Sequence, residues 1–131
     1  MSDQELCRMA QEMLSRAYCP YSHYPVGAAL ECADGSVFTG CNVENAAYSP
    51  GICAERTAAV KAVSEGHRDF VRLAIACGQE AHAAPCGLCR QFLYEFNPEL
   101  EILLVNKSSV VRKFSLSELL PVGFGPANLS E

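Results

Sequence analysis

The chain has 131 residues, half of them hydrophobic and 19% charged, and a formal net charge of -5. That is enough apolar material for a single buried core and excludes disorder as the default. The acidic balance without a long Lys/Arg run argues against tracking a nucleic-acid backbone, no stretch approaches the ~18 apolar residues of a membrane span, and a small molecule is the expected partner.

Leu6, Met9, Ala10, Met13, Leu14 and Ala17 follow the rhythm of one apolar helical face. Ser2 and Glu5 have capping-box spacing and Pro20 stops the helix. Residues 21–25 read as a loop. Val26 to Cys32 and Val37 to Val43 read as two strands around the hairpin signal Asp34-Gly35. Asn42 to Gly51 is a polar, aromatic loop broken by Pro50-Gly51. Ile52 to Glu65 is an Ala-rich helix closed by Gly66. Phe70 to Cys77 is an apolar strand, and Gly78 to Pro85 a loop. Cys86 to Phe96 is a second central helix ended by Pro98, with Phe92, Leu93 and Phe96 on one side. Glu101 to Val105 reads as a buried strand, Val110 to Phe114 as the last strand, and Ser115 to Leu120 as a short helix with its own capping-box pair. Pro121 to Glu131 forms the tail. Strands alternating with helices give a single α/β sandwich over 1–131, its sheet starting as a hairpin and continuing by helical crossovers.

Eight cysteines are too few for a disulfide scaffold. The start Met1-Ser2-Asp3-Gln4-Glu5 has no signal-peptide character, so a reduced, cytoplasmic chain is expected. Some cysteines should then bind metal or do chemistry; Cys7, Cys19, Cys32, Cys41 and Cys77 read as small apolar filler.

Two segments stand apart. Pro85-Cys86-Gly87-Leu88-Cys89 follows a loop and opens a helix, as does Cys53-Ala54-Glu55-Arg56. The starts of two such helices can meet at one sheet edge, bringing three thiolates together. Helix N-termini lower thiol pKa values, and three thiolates suit zinc with a fourth position left for water. Their charge would leave the site at about -1; Arg56, one turn after Cys53, is placed to donate hydrogen bonds to the ligand sulfurs. Glu55, two residues past a ligand, is a candidate for moving protons at that water. His82 is an alternative fourth ligand, which would make the site structural instead of catalytic.

These segments, with Pro20-Tyr21-Ser22, Val26-Gly27-Ala28-Ala29-Leu30, Gly40-Cys41-Asn42-Val43-Glu44-Asn45-Ala46, Cys89-Arg90-Gln91 and Leu119-Leu120-Pro121, resemble the small homotetrameric cytidine deaminases of the three-cysteine type over nearly the whole chain. The resemblance implies a three-layer α-β-α sandwich with a mixed five-stranded sheet. It implies hydrolytic deamination of cytidine and 2'-deoxycytidine in pyrimidine salvage, with one Zn2+ per subunit on Cys53, Cys86 and Cys89 and Glu55 as the catalytic residue. Asn42 and Glu44 would hold the ribose 3'-hydroxyl. The Ala54 N–H and Glu55 carboxylate would read the pyrimidine edge, and Tyr24 stands where the family usually has a Phe near the base. Ala46, Tyr48 and Phe124 match residues that reach a neighbouring subunit's site, so active sites would be shared within a homotetramer. Two rival readings are a deaminase of a related cytosine nucleoside antibiotic and a non-catalytic zinc module.

Overall fold

The structure, a computed structural model, describes residues 1–129; Ser130 and Glu131, the end of the expected tail, lie outside the described residues. Five strands, β1 (Val26–Cys32), β2 (Val37–Cys41), β3 (Phe70–Cys77), β4 (Glu101–Val105) and β5 (Val111–Ser115), form one sheet in the order β2-β1-β3-β4-β5. Only β3 and β4 run parallel, joined through a helical crossover, so the sheet is mixed as expected. Helix α1 (Asp3–Glu12) covers one face, and α2 (Ala54–Ser64), α3 (Gly87–Tyr94) and α4 (Leu116–Leu119) cover the other.

The central strands are buried on both sides, and their residues alternate between two cores. Ala29, Ala74, Ala76, Leu103 and Val105 meet Leu6, Cys7 and Ala10 of α1. Ala28, Leu30, Leu73, Ile75, Ile102 and Leu104 meet Ala54, Ala58, Ala59 and Ala62 of α2, Leu93 of α3 and Leu116 of α4. The alanine-rich face of α2 lets that helix lie close to the sheet. Gly40 completes the fit: a Cβ there would stand 2.5 Å from the Ala54 carbonyl oxygen and 2.6 Å from the Ala58 nitrogen. This approach fixes the start of α2 against the edge strand β2. No helix among the described residues is long and apolar enough to cross a membrane.

The expected elements all occur, with shifted ends. The first helix leaves α geometry at Glu12 and tightens into a 3-10 turn at Met13–Arg16, which turns the chain so that Tyr18 lies beside Val43. Strand β2 ends at Cys41, not Val43, because Val43 leaves the ladder to exchange backbone hydrogen bonds with Ile52 at 3.0 and 2.9 Å. The same exchange holds Ile52 extended and delays the start of α2 to Ala54, with Cys53 as its N-cap. Val110 drops out of β5: its N–H goes to the Asn106 side-chain oxygen at 2.8 Å and its carbonyl accepts from His82 at 2.8 Å. Within the tail, Pro126–Asn128 forms a further 3-10 turn.

Candidate active site

The two helix starts singled out in the sequence meet. Cys53 caps α2 and Cys86 caps α3, both with extended backbone, and Cys89 lies in the first turn of α3, fully buried. The sulfurs of Cys53, Cys86 and Cys89 lie within 4.8 Å of one another, with Cys53 and Cys86 3.7 Å apart. The Arg56 guanidinium donates to Cys53 Sγ at 3.8 Å, and its Nε is a buried donor with no partner. Thr57 Oγ1 donates to the Cys53 carbonyl at 3.0 Å and steadies the cap.

The donor set fits a zinc ion. In the bare cluster the Cys53 thiol is lowered to about 5, first because Cys89 donates to it, with Arg56 and Cys86 as further donors. Cys89 is pushed strongly upward, first by that same hydrogen bond and then by burial. One thiolate is thus stabilised at the expense of its neighbour, and only a cation among the sulfurs lets all three ionise. Three clustered sulfurs, two of them at positive helix ends, are soft ligands of the kind zinc takes. His82 does not join them: its Nε2 is bonded to the Val110 carbonyl, and the metal-binding group contains the three cysteines alone among the described residues.

Glu55 is the one charged side chain buried among the described residues, only 4% exposed. Burial raises its pKa to about 7, against the pull of its own backbone N–H, and the Cys53 charge adds to the rise. It lines a cavity of about 380 Å³ together with Tyr24, Asn42, Cys53, Ala54, Ile75 and Cys86. A second cavity of about 660 Å³ shares Ser22, Asn42 and Cys53 with the first and extends outward past Glu44, Tyr48, Ile52, Arg56 and Leu88. The geometry describes a chamber beside the sulfurs, with Glu55 on its wall, that continues into a wider vestibule.

Asn42 and Glu44 do more local work than the sequence suggests. The Asn42 side chain accepts from the Val26 N–H and donates to the Tyr24 carbonyl, both at 2.9 Å. Glu44 accepts from the Tyr21 N–H at 2.9 Å, the Ser22 N–H at 3.1 Å and the Ser22 hydroxyl. Together they bind residues 21–26 into the chamber wall, which places the Tyr24 ring there. Burial raises the Tyr24 phenol pKa, and the neighbouring Cys77 adds to that. Ala46 is exposed and Phe124 sits on the tail, and neither lines either of these two cavities. Of the cysteines read as filler, Cys7, Cys32 and Cys77 are buried, whereas Cys19 and Cys41 are only partly so; all eight are free.

Sequence reading missed Arg90. Its Nε donates to the Pro85 carbonyl at 2.7 Å and its Nη1 to the Leu119 carbonyl at 2.7 Å, tying the residue before Cys86 to the end of α4. The sequence displays an arginine directly after Cys89 but not its target at Leu119, 29 residues on.

A sulfur triad at paired helix starts, with a buried carboxyl on the same chamber wall, defines a zinc-site hydrolase class of α/β domain. Comparison with known proteins agrees. The family model for the cytidine and deoxycytidylate deaminase zinc-binding region matches residues 1–104. A cytidine deaminase of Sporosarcina psychrophila is 43% identical over 131 residues, covering 99% of this chain and 96% of its own. A crystal structure of cytidine deaminase from Burkholderia pseudomallei superposes with a TM-score of 0.91 at 44% identity, covering 95% of this chain and 100% of that one. One from Mycobacterium tuberculosis does so with a TM-score of 0.82 at 39% identity, covering 95% and 99%. The chain belongs to the cytidine and deoxycytidylate deaminase family.

Proposed function

We propose that the chain catalyses the hydrolytic deamination of cytidine and 2'-deoxycytidine to uridine and 2'-deoxyuridine, releasing ammonia, and that residues 1–131 act as one domain. The observation that carries this reading is Glu55: a carboxyl almost wholly buried, on the wall of a cavity that also contains Cys53 and Cys86. A structural zinc module has no use for such a group.

Cys53, Cys86 and Cys89 hold zinc, which supplies Lewis acidity that lowers the pKa of a water toward neutrality. Arg56 donates to the sulfurs and offsets their charge. Glu55 takes a proton from the attacking water and delivers it to N3 as the oxygen bonds to C4. It then carries the second proton from that oxygen to the amino group; the C4–N bond breaks and ammonia leaves. One carboxyl thus makes both transfers, which its position beside the chamber permits. The Ala54 N–H and Glu55 orient the pyrimidine edge, and Tyr24 presents a ring beside the base. Asn42 and Glu44 retain hydrogen-bonding capacity beyond their loop contacts, enough to receive the ribose hydroxyl.

The active form is a homotetramer in which Ala46, Tyr48 and Phe124 complete a neighbour's site. Exposed apolar groups support this: Tyr48, 76% exposed, and Leu88, 69% exposed, line the vestibule, and Phe124 on the tail is 56% exposed. Large apolar side chains left open at a cavity mouth mark a surface that another chain covers. The enzyme works in the cytoplasm, where eight free thiols stay reduced.

The test is loss of cytidine ultraviolet absorbance with the zinc-loaded protein. Glu55→Gln keeps its zinc and its fold and loses about 10²-fold or more in kcat. Substantial turnover by that variant refutes the proton-shuttling role.

A further inference from the structure

The ring of Phe124 is held out into solvent by an arrangement that its own chain does not use. Val122, just before it, adopts φ +54°, a left-handed conformation that β-branched residues disfavour. Val122 is fully exposed and gains no burial in return. On either side of Phe124 stand glycines that close on one ring. A Cβ at Gly123 would lie 2.8 Å from Cε2 and Cζ of Tyr94, and one at Gly125 would lie 3.1 Å from its Cδ1 and Cε1. Between the two, the Gln91 Nε2 donates to the Phe124 carbonyl at 2.8 Å. The Gly125 N–H donates to the Asn128 side chain at 2.8 Å and closes the turn from the far end.

We propose that Gln91 and Tyr94 are positioning residues: by seating Gly123 and Gly125 on the Tyr94 ring and pinning the Phe124 carbonyl, α3 aims the Phe124 side chain at the substrate cavity of a second copy of this chain. The proposal rests on the shared-site reading above and adds the device that makes sharing precise. The helix that carries Cys86 and Cys89 at its start carries Gln91 and Tyr94 one to two turns on. A single rigid element therefore sets both the metal side of one site and the lid of the next. The tail beyond α4 needs this clamp because it lies outside the sheet and offers little burial of its own.

The test is a double-mutant cycle in the zinc-loaded assembly, with KM and kcat for cytidine measured separately. Phe124→Ala removes the ring and raises KM about tenfold. Gln91→Glu keeps the size of the side chain and removes the donor. It raises KM about threefold with kcat, zinc content and assembly size unchanged, and adds nothing in the Phe124→Ala background. Gly123→Ala, which pushes the tail off Tyr94, behaves in the same way. An unchanged KM in Phe124→Ala removes the shared-site reading and the clamp with it. A raised KM in Phe124→Ala beside a normal one in Gln91→Glu and Gly123→Ala overturns the clamp alone. So does a Gln91→Glu effect that persists without Phe124, or one that appears as a smaller assembly.

Discussion

The helices on the two sides of the sheet begin in nearly the same backbone geometry and use it for opposite ends. Ser2 starts α1 at φ -79°, ψ 162°; Cys53 starts α2 at φ -75°, ψ 155°, and Cys86 starts α3 at φ -68°, ψ 170°. The Ser2 hydroxyl turns inward and accepts from the Glu5 N–H at 3.1 Å, the ordinary satisfaction of a helix start. Neither cysteine makes a side-chain cap bond. Their sulfurs turn toward each other and toward Cys89 instead. The catalytic side of the molecule has given up local capping in order to aim three sulfurs at one point, and the α1 side has kept it.

That contrast is broken most severely at Cys53. Cys53→Ser removes one of the three sulfurs proposed to hold zinc while restoring a cap oxygen. Turnover falls by more than the roughly hundredfold that loss of an outer hydrogen-bond partner costs, and the zinc-free variant melts no lower than the zinc-free parent. A variant that melts well below the parent shows that the sulfur was supporting the helix after all. Calorimetry of the two metal-free proteins decides it.

Much of this contrast is legible in the amino-acid sequence. The spacing of Cys53, Cys86 and Cys89 across a helix, a strand and a loop points to convergence, and the near-continuous apolar runs at Phe70–Cys77 and Glu101–Val105 point to buried central strands. What stays hidden depends on partners far along the chain. Val43 looks like the end of a strand until Ile52 is found to claim its backbone, with Tyr18 claiming the Asn42 carbonyl and the Glu44 N–H on either side. Asn42 and Glu44 read as loop caps from the residues alone and as ligand-facing groups through the resemblance; only the fold shows that the loop they hold is 21–26. His82 has the right chemistry for a ligand, and only the fold takes it to Val110. The seat of Phe124 on Tyr94 involves two glycines whose spacing carries no local signal.

On the α1 side the expected effects are smaller and concern stability. Ser2→Ala lowers unfolding free energy by about 1 kcal/mol, read by denaturant titration, with kcat and zinc content unchanged. A change in kcat ties α1 to the site and blurs the division of labour between the faces.

The least effect is electrostatic. Asp3, in the first turn of α1, is held below its usual pKa, first by Lys113 and then by Arg72, which also bonds Glu31 at 2.8 Å. A carboxyl depressed in the folded state adds stability that is present above its unfolded value of 3.8 and is lost as pH falls through the lower folded value. The Asp3 side chain is 34% exposed, so solvent screening keeps the contribution under about 1 kcal/mol. Asp3→Asn is therefore slightly less stable than the parent at neutral pH, and the gap closes below pH 3.8. A gap that widens on acidification reverses the assigned sign.

The central claim is that three sulfurs from two helix starts hold one zinc ion with a position left beside Glu55. X-ray absorption at the zinc edge of the purified protein tests it most directly. The account predicts one zinc per chain with three sulfur neighbours at about 2.3 Å and one oxygen at about 2.0 Å. A shell of four sulfurs, or three sulfurs with an imidazole nitrogen, would contradict it, because the place where water must react would already be filled.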